Sequence, residues 1–179
     1  MPLKLRDRLA AVCLATSFLL PVQAADLPPL AHTLTALSPR PSPGLQLKDI
    51  DGRPHDLAQL RGKVVLVNFW ATWCPPCRRE MPSMQRLKDA LAGEPFEVLA
   101  VDVGEDADTI HAFTSQLDAT LGFPILLDPR GHAMRAWQVA GLPTTYLVDR
   151  QGRIVARAIG GREFDHPEMI AAVRALLKK

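Results

Sequence analysis

The chain has 179 residues, 47% of them hydrophobic and 22% charged, with a formal net charge of +2. That balance suits one globular domain with a short appendage. It excludes a nucleic-acid footprint, which needs clustered excess basic charge. Three cysteines, two of them three positions apart, also exclude a multi-disulfide scaffold.

The first segment departs from the rest. Lys4, Arg6 and Arg8 precede an uncharged run from Leu9 to Leu20, and Pro21-Val22-Gln23-Ala24-Ala25 supplies small residues suited to cleavage. This is the layout of a secretory signal peptide over residues 1–24. The run is shorter than the ~20 residues a bilayer span takes, so retention as an uncleaved anchor is the lesser reading. Cys13 belongs to that run rather than to a lipid-attachment site. Without residues 1–24 the chain carries 18 basic and 18 acidic residues, so the excess charge belongs to the export signal. Residues 25–44, with Pro28, Pro29, Pro39, Pro41 and Pro43, read as an extended linker or arm.

From residue 45 the pattern is that of a folded domain. Leu45–Ile50 and Arg53–Leu57 flank Asp51-Gly52 as a hairpin. Val64–Trp70 is a continuous apolar strand, as expected in a sheet covered on both faces. A helix over Pro75–Ala92 buries Met81, Met84, Leu87 and Leu91, and Pro82 should kink it. Phe96–Val103 is the next strand. Asp108–Leu121 reads as a helix with Ile110, Phe113, Leu117 and Leu121 on one face. Pro124–Leu127 is a strand and Gly131–Val139 a short helix. Thr144–Asp149 and Arg153–Ile159 form a hairpin around Arg150-Gln151-Gly152. The last helix opens at Asp165, with Glu168 completing a capping box. Alternating strands and helices followed by a hairpin and helix imply a three-layer α/β domain around a mixed sheet.

Chemistry concentrates at Cys74-Pro75-Pro76-Cys77, between a strand and a helix. A zinc site needs four ligands, and His32, His55, His111, His132 and His166 show no paired spacing. Copper(I) suits thiolates, yet no Met or His adjoins the pair. A structural disulfide across so short a loop removes little chain entropy. Thiol–disulfide exchange accounts best for the position, with Cys74 as the exposed attacking thiolate at the helix N-terminus and Cys77 as the buried resolving thiol. Pro75 and Pro76 lack backbone N–H groups, so the Cys74 thiolate loses two potential donors and a reductant is expected. No phosphate-binding glycine loop suggests an organic cofactor, and no peroxidatic cysteine arrangement suggests a peroxidase.

Asn68-Phe69-Trp70-Ala71-Thr72-Trp73-Cys74-Pro75-Pro76-Cys77-Arg78-Arg79-Glu80-Met81-Pro82 resembles the active-site segment of the thioredoxin superfamily, closest to its exported TlpA/ResA-type thiol–disulfide oxidoreductases. Gly141-Leu142-Pro143-Thr144-Thr145-Tyr146-Leu147-Val148-Asp149 is similar to that family's second motif, and the resemblance covers residues 45–179. It implies a thioredoxin-like fold with an N-terminal β-hairpin and a helical insertion at Asp108–Leu121. It also implies a cis bond at Leu142–Pro143, and a client groove formed by Trp73, Pro75, Pro76, Leu142, Pro143 and Thr144. Trp70 and Trp73 would wall the site. Asn68 replaces thioredoxin's buried acid, so proton handling for Cys77 would fall to Glu80 or Glu105, which match carboxylate positions of the family. By the same resemblance the chain would be a periplasmic monomer. It would reduce apocytochrome c or copper-centre assembly proteins and be recharged by a membrane thiol reductase. A copper(I)- or client-binding chaperone without turnover, and an oxidase or isomerase, are the alternatives.

Overall fold

The structure, a computed structural model, describes residues 30–117 and 120–179. The expected export signal and the start of the arm lie outside the described residues, as do positions 118 and 119 in the expected second helix.

In chain order the elements are β1 (Thr35–Pro41), β2 (Gln46–Lys48), β3 (Pro54–Asp56), a 3-10 turn (Leu57–Leu60), β4 (Val64–Trp70), α1 (Pro75–Ala90), β5 (Phe96–Val103), α2 (Ala107–Thr114), β6 (Ile125–Asp128), α3 (His132–Ala136), β7 (Thr144–Val148), β8 (Arg153–Ile159) and α4 (Pro167–Leu177). Among the described residues β1-β8-β7-β4-β5-β6 form one mixed sheet, and β2-β3 a separate hairpin. β5 and β6 follow β4 on one side and β7 and β8 return on the other, so the strand order reverses beside β4, which is parallel to β5 and antiparallel to β7. Crevices at the carboxyl ends of strands at such reversals are where α/β sheets place their sites.

All seven residues of β4 are buried, because both faces are covered. Val64, Leu66 and Trp70 join one core with Met81, Met84 and Leu87 of α1, Ile110 and Phe113 of α2, and Met169 and Val173 of α4. Val65, Val67 and Phe69 join the other, with Ala133 of α3, Trp137, Tyr146, and Leu45 and Leu57 flanking the hairpin. This is the three-layer arrangement of a thioredoxin-like fold.

Four details differ from the sequence expectations. The arm is not merely a linker: residues 35–41 form an edge strand antiparallel to β8. All of its residues except Leu37 are exposed, and an edge strand tolerates Pro39 and Pro41 because the missing donors can face solvent. α2 ends at Thr114, yet Leu117 and Leu121 still pack against the core from the irregular segment that follows. α1 ends at Ala90, two residues short of the expected Ala92, with Pro82 inside it. α4 is capped by His166, whose Nδ1 accepts the Glu168 N–H at 3.3 Å, while Asp165 instead pairs with Arg86 Nε at 2.5 Å.

Candidate active site

β4 ends at Trp70, and the Ala71–Trp73 turn, closed by Cys74 N–H donating to the Ala71 carbonyl at 3.2 Å, delivers the chain to α1. Cys74 is the N-cap of α1 in extended conformation, with Pro75 and Pro76 opening the helix. Proline suits the first helical position because its missing N–H would be unpaired there. Cys74 and Cys77 form a disulfide with S–S 2.08 Å. Cys74 is less open than expected, at 4% exposure, but it is still the more accessible sulfur residue, since Cys77 is at 0%. An attacking partner therefore reaches Cys74 first.

The carboxylate readings separate in space. Glu80, one helical turn beyond Cys77 on the same face of α1, is fully buried. Its Oε1 accepts from Asn68 Nδ2 at 2.7 Å and its Oε2 from Arg162 N–H at 2.9 Å. Burial pushes its carboxyl up to about 8, against the opposing pull of the Arg162 amide and the Asn68 side chain. Asn68 also donates to Thr145 Oγ1 at 2.9 Å, so the residue in place of thioredoxin's acid fixes a carboxylate rather than titrating. Glu105 lies after β5 and grips the turn before the cysteines, accepting from Thr72 N at 2.6 Å and Thr72 Oγ1 at 2.5 Å.

The expected client-binding residues are of two kinds. Trp73 is 67% exposed, Pro75 is exposed, and Pro76 and Leu142 are half-buried, so these offer surface. The Leu142–Pro143 bond is cis. Pro143 and Thr144 are buried, and their polar groups are engaged: the Pro143 carbonyl takes Gly160 N–H at 2.9 Å, and Thr144 Oγ1 donates to the Gly141 carbonyl at 2.7 Å. Thr144 thus shapes the loop from within. Trp70 is a core residue against Phe113, 5.4 Å between ring centroids.

Two residues escaped the sequence reading. Arg162 follows β8, and only the fold brings its amide to Glu80. Asp102, buried in β5, accepts from Glu105 N–H at 3.2 Å. Burial first, and then the neighbouring Glu105 carboxyl, push it up to about 8. An acid within the apolar stretch Val98–Val103 was its available signal. Folding also unites two histidines that lack sequence spacing. His32 and His166 stack at 3.8 Å, and their donor atoms lie within 4.8 Å of one another and of a Glu168 carboxylate oxygen. His166 Nδ1 serves as the α4 cap, and three donors fall short of a closed tetrahedral shell.

A mixed sheet with a C-x-x-C disulfide at the start of α1 and a cis proline leading into β7 is the arrangement of a thioredoxin-fold protein. The AhpC/TSA family model matches residues 40–157, and the chain belongs to that family. It is 42% identical over 113 residues to the thiol-disulfide oxidoreductase ResA of Geobacillus thermodenitrificans, covering 63% of this chain and 64% of that relative's length. It is 35% identical over 119 residues to ResA of Bacillus subtilis, covering 66% and 65%. Among solved structures, a thiol:disulfide interchange protein of the thioredoxin family from Chlorobium tepidum superposes with TM-score 0.67 at 28% identity, over 79% of this chain and 98% of that one. No helix among the described residues is long and apolar enough to cross a membrane.

Two buried carboxyls with raised values tie stability to pH. Their ordinary values are 4.5 and 3.8, so unfolded chains release these protons well before the folded chain does. Their stabilising share is complete below those values and is lost as pH rises toward 8, by up to about 1.4 kcal/mol per pH unit for each group. Urea unfolding of the oxidised protein at pH 5 to 9 should show this decline, and Glu80→Gln should reduce its slope by about half, leaving the Asp102 share. Glu105→Ala, which removes two bonds to a charged acceptor, should cost about 2 kcal/mol in the same assay.

Proposed function

We propose that this chain is an exported thiol–disulfide oxidoreductase that reduces disulfides in client proteins. The observation that carries the reading is the Cys74–Cys77 pair at the reversal point of the sheet, one sulfur residue slightly open and the other closed, with a buried carboxyl one turn further along the helix. Relatives named thiol-disulfide oxidoreductases support it.

In the reduced form the Cys74 thiolate attacks one sulfur of a client disulfide, and the other leaves as a client thiolate. The Cys77 thiolate then attacks Cys74 Sγ, closes the internal disulfide and releases the second client thiolate. Two electrons pass from the dithiol to the client, whose sulfurs leave as thiolates and take their protons from water, while the Cys77 proton goes to Glu80. Glu80 suits the proton step. With the pair oxidised its carboxyl holds a proton at neutral pH, ready for the Cys77 thiolate released when a donor dithiol reduces the pair. It takes the proton back when Cys77 resolves the next mixed disulfide. The exposed Trp73 indole and Pro75 form the surface a client meets.

The helix start argues for the reducing direction. The N-cap sulfur of Cys74 faces a first turn whose first two residues lack N–H groups. Fewer donors leave the thiolate less stabilised and the dithiol a better electron source. The surroundings follow as part of the proposal: a periplasmic monomer, apocytochrome c or copper-centre assembly proteins as clients, and a membrane dithiol reductase as donor.

The purified reduced protein should catalyse insulin reduction, Cys74→Ser should abolish it, and Cys77→Ala should accumulate mixed disulfides with clients in vivo. Copper(I) binding by the wild type with no turnover would replace this reading with a carrier. The Cys74 thiolate, followed by alkylation against pH, should titrate above about 5, the upper side of the strong oxidants. Pro76→Ala, which restores one N–H, should lower that value by about half a unit.

A further inference from the structure

Asp102 has no place in the electron-transfer steps above, yet it is fully buried at the end of β5, level with Trp70, the last residue of the strand that leads into the cysteine turn. Its Oδ1 accepts the Glu105 N–H, and its Oδ2 has no hydrogen-bond partner among the described residues. The Glu105 carboxyl is the neighbouring acid that raises the Asp102 proton affinity most after burial. Both oxygens of Glu105 already accept from Thr72, through N–H and Oγ1. Two neighbouring carboxylates, one already filled with donors and the other holding an orphan oxygen, repel each other unless one of them keeps a proton. Because Glu105 is the acceptor for Thr72, the proton belongs on Asp102.

We propose that Asp102 is a positioning residue that, kept protonated, donates its O–H to Glu105 and so locks Thr72 and the turn carrying Cys74 in place. Ionisation of Asp102 sets like charges against each other, loosens the grip of Glu105 on Thr72 and lets the turn shift. Asp106 adds a further negative charge that works against ionisation of Asp102. Asp128, on the adjacent β6, commits its carboxylate to the His132 and Met134 amides. Thr72 and Trp70, on the β4 side, bring no charge.

The inference rests on the exchange activity for one of its readouts only. Insulin reduction is measured from pH 6 to 10 for the wild type, Asp102→Asn and Asp102→Ala. Asparagine can donate to Glu105 and accept its N–H at every pH, so it should match the wild type within about twofold at pH 6–7. The rate ratio of Asp102→Asn to wild type should then climb to about tenfold at pH 9, one unit above the raised value of about 8. The ratio cancels the titrations of the cysteines and Glu80, which both proteins share. Asp102→Ala should be slow throughout. Independently of activity, carboxyl-carbon NMR of the wild type should show an aspartate titrating near 8 that is missing from Asp102→Asn. A flat ratio, equal rates for the Asn and Ala variants, or an Asp102 titration in the ordinary carboxylate range would each overturn the proposal. If the wild type fails to reduce insulin, the exchange function falls and the NMR titration alone decides the role of Asp102.

Discussion

The arrangement depends on a carboxyl group taken out of water just beyond the redox pair. Glu80 belongs to α1, and its two hydrogen-bond donors come from β4, through Asn68, and from the segment after β8, through the Arg162 amide. Asn68 reaches on to Thr145 of β7. One buried acid therefore joins the helix that carries the cysteines to both sides of the sheet reversal. A buried carboxylate without such partners would be intolerable. With them it remains costly enough that the proton is held well above the ordinary range. Register at the site and a proton store near Cys77 come from the same interaction.

A second tether acts on the other side of the pair. Glu105 binds Thr72, two residues before Cys74, and is itself anchored through its N–H on Asp102. The turn is thus held by side chains from β5 and its following loop, while the first two residues of α1 are prolines with no N–H to offer a thiolate. The surrounding scaffold fixes where the sulfur is, and the prolines limit how strongly its charge is stabilised. These are separable properties: position is set by the scaffold, and the number of N–H donors near the sulfur by the helix start.

Much of this was legible in the residues because it follows from local pattern. The apolar run Val64–Trp70 is a covered strand, the spacing of Met81, Met84, Leu87 and Leu91 is a helix face, and Cys74-Pro75-Pro76-Cys77 between them is the turn that closes the disulfide. Local pattern failed where a distant partner decides. Proline content reads residues 35–41 as an arm, yet β8 offers them an open edge. Asp165 and Glu168 have capping-box spacing, yet Arg86 draws the Asp165 carboxylate away and His166 caps α4 in its place. The four-residue rhythm from Ile110 to Leu121 suggests one long helix, yet α2 ends at Thr114 and tertiary packing still half-buries Leu117 and Leu121 against the core.

The sequence by itself determined the reacting atoms, the strand–turn–helix that carries them and the missing amides at the helix start, because these depend on bonds and on neighbours a few positions away. Only the tertiary structure decided which carboxyl is desolvated, which one grips the turn, and how little of Cys74 remains open. Burial and charge are set by groups from β5, β7 and the segment after β8, up to 82 residues away along the chain, and nothing in their local sequence announces that they meet.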